Sequence, residues 1–168
     1  SLDADLISGF FSEGSFDPRE LGFEGNMIAL GHPVFMKGIR HMILKWRFFW
    51  RARILREYDI VIFSGDCLGA LRHVRPDAKK YYYCHTPPRY LYDFRERYLA
   101  SQPFFVRPMF RIAFSFFARV YENNIRKFDL IFSNSQTVEK RLLEYTKTKS
   151  TVIYPPTDTR RFTSRGDS

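Results

Sequence analysis

Four short apolar runs, each stopped by turn-forming residues and separated by helical patterns, constrain this chain more than any other feature. They are Asp59–Ser64 (DIVIFS), Lys80–Cys84 (KYYYC), Asp129–Ser133 (DLIFS) and Thr151–Tyr154 (TVIY). They end at Gly65-Asp66, His85-Thr86-Pro87, Asn134-Ser135 and Pro155-Pro156. Runs of this length and composition, bounded this way, read as strands. Between them Leu68–Val74, Pro88–Leu99, Met109–Lys127 and Gln136–Tyr145 read as helices or helical turns, with Pro103 and Pro108 as breaks. Such alternation predicts an α/β fold, a Rossmann-like, doubly wound, mostly parallel sheet with helices on both faces. DIVIFS, almost continuously apolar, reads as a strand buried on both faces. Right-handed crossovers align the strand ends along one edge, and that edge is where open α/β sheets bind ligands.

Two weaker strands precede these, Asp5–Ser8 and Asn26–Leu30, around a Gly- and Ser-rich loop from Gly9 to Gly25. From Phe35 to Tyr58 the pattern is helical. Ile39, Ile43 or Met42, Trp46, Phe49 or Trp50, and Ile54 recur at spacings of three and four. Lys37, Arg40, Lys45, Arg47, Arg51, Arg53 and Arg56 fill much of the remainder. In Met109–Lys127 the residues Phe110, Ala113, Phe114, Phe117, Val120 and Tyr121 fall on one side.

The formal charge of +9 on 168 residues suggests an anionic partner: nucleic acid, acidic lipid headgroups or a phosphorylated substrate. Cys67 and Cys84 lack CxxC spacing and read as core residues in a reducing, cytoplasmic setting. No apolar run reaches the roughly 18–20 residues of a membrane span. The first residue is not Met, so the chain is expected to be part of a longer one. The tail after Pro155 reads as the start of a linker.

No G-x-G-x-x-G or Walker loop, no metal-ligand spacing and no G-x-S-x-G elbow occurs, so no metal and no self-contained nucleotide site is expected. His85 stands at a strand end beside two prolines, the best candidate for chemistry. A lone histidine is usually structural, and only this position argues for more. Arg89 suits a phosphate or carboxylate, or is a solvated helix residue. Asp66, Thr86, Asn134 and Ser135 lie on the same edge; turn and capping roles compete for them. Arg40, Lys45, Trp46, Phe49, Trp50 and Arg51 interleave aromatic and basic groups as in a helix lying on an anionic membrane. The alternative is a helix packing its aromatics on the sheet.

YYYCHTPPRYLYD, then DLIFSNSQTVEKRL, then VIYPPTDTRRF resemble, in that order, the N-terminal half of family 4 glycosyltransferases, and DIVIFSGD has the same look. The likeness runs from about Asp59 to Phe162 and is nearest to GDP-mannose-dependent mannosyltransferases. It implies one half of a GT-B enzyme: residues 1–155 as an acceptor-side domain, 156–168 opening the linker, and a donor-binding domain outside this sequence. The family's usual opening strand and Gly-rich loop are not among these residues. The resemblance implies retaining transfer of a hexose from a nucleotide-sugar without a required metal, to a lipid-linked or polysaccharide acceptor. His85 would contact the transferred sugar or position the acceptor, Asn134 and Ser135 would line the cleft, and Asp158 and Phe162 would belong to the hinge. The chain alone is expected to show no turnover. A peripheral anionic-lipid module at the cytoplasmic face of the membrane is the competing reading. A nucleic-acid-binding domain has the charge but no motif.

Overall fold

The structure, a computed structural model, describes residues 3–12, 17–34 and 40–156. These form two parallel sheets. Strands β1 (Leu6–Ser8) and β2 (Met27–Ala29) pair from Leu6↔Met27 to Ser8↔Ala29. Strands β3 (Ile60–Ser64), β4 (Lys79–Cys84), β5 (Leu130–Ser133) and β6 (Thr151–Val152) lie side by side in chain order, all parallel. The α-helices are α1 (Arg40–Arg51), α2 (Arg95–Ala100), α3 (Arg107–Ile125) and α4 (Gln136–Thr146). Single 3-10 segments cover Ala52–Glu57, Leu68–His73 and Arg89–Leu91. The α/β architecture of parallel strands flanked by helices is the one expected from the sequence.

Because β3 to β6 advance in one direction, right-handed crossovers place every connection between them on the same face. The core bears this out. Val61, Phe63, Tyr82, Cys84 and Ile131, which share that face by register, are buried with Leu71, Leu91, Tyr121, Ile125, Val138 and Leu142 from the connections. Phe128, just before β5, meets Phe63 edge-on and stacks on Tyr82, with ring centroids 5.2 and 5.3 Å away.

The opposite face is open among the described residues. Ile60, Ile62 and Leu130 are 57%, 67% and 51% exposed, so the expectation that DIVIFS is covered on both sides is not met. An apolar run permits burial on two faces, but whether a second layer covers it depends on other elements. Pro88–Leu99 is not one helix either: it breaks into the 3-10 turn at Arg89–Leu91 and the short α2. Pro108 does not interrupt α3 but occupies its first turn, where a missing N–H has no consequence. Phe117 and Val120, expected on the inner side of α3, point outward at 51% and 40% exposure. The inner side is Phe114, Ala118, Tyr121 and Ile125.

Strands β1 and β3 have no strand partner on their outer edges among the described residues. Between them lies a cavity of about 800 Å³, lined by both strands and by Leu44 and Phe48 of α1. Among its lining residues the Tyr58 hydroxyl donates to Asp5 Oδ2 at 2.6 Å. This bond ties together the starting ends of β1 and β3.

Candidate functional site

The carboxyl ends of β3, β4 and β5 meet along one rim. At β3, Gly65 takes φ +79°, a left-handed turn that a side chain would strain. It turns the chain from Ser64 to Asp66. At β4, Pro87 is fully buried and Pro88 opens the 3-10 turn. His85 and Thr86 are thereby left exposed on the rim. At β5, the Ser135 hydroxyl accepts from Val138 N–H at 3.4 Å and caps α4.

His85 is two residues beyond Tyr83, whose partner across the ladder is Ser64. Side chains alternate along a strand, so Ser64, Tyr83 and His85 share a face. His85 Nε2 lies 2.9 Å from Ser64 Oγ, and the Tyr83 ring meets the imidazole edge-on at 5.0 Å. The imidazole thus has one nitrogen engaged, its plane fixed and the ring open to solvent. The strands are parallel and the ring is on the rim, as the sequence led us to expect.

Asp66 receives Lys45 Nζ at 2.9 Å, and the same ammonium donates to the Tyr90 hydroxyl at 2.5 Å. Partial burial disfavours the Lys45 charge. The attraction of Asp66 and the bonds to Tyr90 and Asp66 outweigh that, so its pKa lies above the ordinary 10.5. A fixed cation therefore stands beside the imidazole-bearing loop. Cys67 and Cys84, behind the rim, are inert: burial raises both thiols to about 11.

The remaining candidates divide. Thr86 Oγ1 turns to the Pro87 carbonyl, 3.3 Å away. Asn134 N–H donates to the Cys84 carbonyl at 3.2 Å, and its Oδ1 accepts from Ser135 Oγ at 3.1 Å. Both therefore sit on the rim with their near groups engaged in loop and cap bonds. Arg89 is turned to Asp93, with Nε 3.3 Å from Oδ2, and its guanidinium lies over Phe94, 3.9 Å from the centroid. Asp93 also draws Arg141 and the Tyr145 hydroxyl. On α1, Trp46 and Trp50 are about half exposed, but Arg51 lies over Trp46, and Arg72 over Phe49 and Trp50. The Arg40 side chain, Asp158 and Phe162 are outside the described residues.

Sequence reasoning missed Ser64 and Tyr90 as site residues and set Lys45 with the membrane contacts. Ser64 carried a signal, the strand register, which becomes legible once β3 is paired with β4. Lys45 reaches the rim from a helix 21 residues before Asp66, and no local pattern marks that.

Among the described residues no three His, Cys, Asp or Glu side chains cluster to hold a metal ion. No described helix is long and apolar enough to cross a membrane. No curated protein and no solved structure matches the chain significantly. The family model described as Glycosyltransferase Family 4, however, matches residues 10–161. That span takes in β2 to β6, all four helices and each loop of the rim. On that match the chain belongs to glycosyltransferase family 4.

Proposed function

We propose that the chain is the acceptor-side half of a retaining hexosyltransferase that moves mannose from GDP-mannose to a lipid-linked or polysaccharide acceptor. The observation that carries this reading is the exposed His85, held by Ser64 on the rim of a parallel sheet beside the Lys45–Asp66 pair. An exposed imidazole with one nitrogen engaged can hold a sugar hydroxyl in a single orientation. Asp66 and Asn134 supply further polar groups along the same rim. The leaving diphosphate would be stabilised by cations and N–H donors from a second lobe facing this one. Charge arranged in advance accounts for most of the acceleration in many enzymes. The reading requires no metal.

The test is mannose transfer by the full-length enzyme with His85→Ala. Orienting and proton-handling side chains contribute about 10²–10⁴-fold, so kcat/KM is expected to fall at least a hundredfold. Transfer at the normal rate would remove His85 from the mechanism. Transfer of a different hexose with His85 still essential would retain the site and discard the donor assignment.

A further inference from the structure

Helix α3 has two apolar faces. Phe114, Ala118, Tyr121 and Ile125 pack into the core. On the opposite side Met109, Ile112, Phe116 and Val120 follow spacings of three and four, which align side chains along a helix. These four are 62%, 73%, 61% and 40% exposed. The stripe continues at Phe104 and Phe105, 79% and 70% exposed, in the turn before the helix. A helix apolar on both sides is normally enclosed on both, and a contiguous exposed patch of this kind marks an interaction surface.

Charge identifies the partner. Of the cations on α3 and its end, Arg111 pairs with Glu96 at 3.6 Å and Arg107 donates to the Gln102 and Ala100 carbonyls. Arg119, Arg126 and Lys127 have no ion pair among the described residues, and the helix itself carries a single carboxylate, Glu122. That carboxylate accepts from the Tyr92 hydroxyl. Arg119, three residues after Phe116, borders the stripe, and Arg126 lies beyond its end. A two-fold contact with a second copy would set this surface against itself and so offer these cations no anionic partner. An anionic bilayer instead satisfies both features, taking aromatic and aliphatic side chains at the headgroup boundary and arginines at the phosphates.

We propose that the outer face of α3, from Phe104 to Val120, docks this chain on the surface of an anionic bilayer. The contact is thereby moved off α1, whose aromatic rings are overlaid by guanidinium groups of the chain itself. The inner side of α3 reaches the rim through Phe114, whose ring meets Tyr90 at 6.1 Å, and Tyr90 holds Lys45. A docked α3 would thus leave the rim about one helix diameter, some 10 Å, from the lipid. Docking does not rest on the transferase reading, since vesicle binding needs no turnover.

The experiment is sedimentation of the whole chain with phosphatidylglycerol/phosphatidylcholine vesicles and with pure phosphatidylcholine. Binding to the anionic vesicles is expected, weakening with salt. Met109→Ser/Ile112→Ser/Phe116→Ser is expected to lower partitioning at least tenfold with an unchanged circular dichroism spectrum. The Trp46→Ser/Trp50→Ser pair should bind as wild type. Arg119→Glu/Arg126→Glu leaves the apolar stripe intact and keeps the test open if the serine variant unfolds; it should lose the preference for anionic lipid. Unchanged partitioning of the serine and charge variants overturns the proposal. So does failure of the wild-type chain to bind anionic vesicles, or a light-scattering mass that halves in the serine variant.

Discussion

Asp5 and Tyr58 illustrate how a single contact at the surface sets a pH window. The Tyr58 hydroxyl, then the backbone N–H of Asn26, hold the Asp5 carboxyl below its ordinary 3.8. Burial, then the bond to Asp5, raise Tyr58 to about 12 from 10.0. A depressed acid stabilises the fold above its unfolded value and loses that as pH falls through its folded value. A raised phenol stabilises below its unfolded value and loses that as pH rises through its folded one. The pair is therefore fully stabilising between about 4 and 10, fading below and between about 10 and 12 above. Tyr58→Phe should remove the alkaline flank and most of the acid one. Denaturant melts across pH, with tyrosinate absorbance as the direct readout, check this; an unchanged alkaline limb would show that the phenol is not held. At the rim, Lys45→Met deletes the cation shared by Asp66 and Tyr90. It should cost the full-length enzyme at least tenfold in transfer while its melting temperature moves only a few degrees, since a half-exposed ion pair adds about 0–1 kcal/mol.

Among the elements, α4 offers the plainest account of a helix from its ends. Ser135, extended at φ −163°, caps it, and Lys147 closes it in the left-handed conformation at φ 57°. Ser135→Ala should destabilise the fold by about 1 kcal/mol. Lys147→Gly should stabilise it by roughly 0.5–1 kcal/mol, because glycine takes that conformation without strain. Opposite signs in urea melts are the check, and two destabilisations would refute the reading of the terminus. The first end of α4 is legible in the sequence, as are the strands, because capping residues and apolar runs act locally; its last end is not, since nothing about Lys147 announces a left-handed residue. Nor is the orientation of α3. The set Met109, Ile112, Phe116, Val120 is as apolar as the set Phe114, Ala118, Tyr121, Ile125, and periodicity cannot rank two such stripes. What decides is size and partner: the small Ala118 brings the helix close, and Tyr121 meets Tyr92 edge-on. The site was half legible for a similar reason. His85 announces itself by the prolines after it, whereas its partner Ser64 is fixed by a pairing between segments 21 residues apart.

On the scale of the whole molecule, the sheet from β3 to β6 has one clad face and one that is bare among the described residues. Its outermost strand presents Ile60 and Ile62 beside an unmatched backbone edge. Natural sheets blunt such edges with charge. Ile62→Lys should accordingly reduce concentration-dependent self-association of the isolated chain, measured by light scattering, without lowering its melting temperature by more than a few degrees. Greater association in that variant would mean that the bare face is not the adhesive one.

The hollow between β1 and β3 has a further thermodynamic meaning. Anything that fits the gap in the native chain and ignores the denatured one pulls the equilibrium toward the native form by mass action. The melting temperature of the chain would then vary with the solution, climbing with the activity of any ligand that bound there. A titration of the midpoint against added peptide would read the depth of that hollow as an affinity.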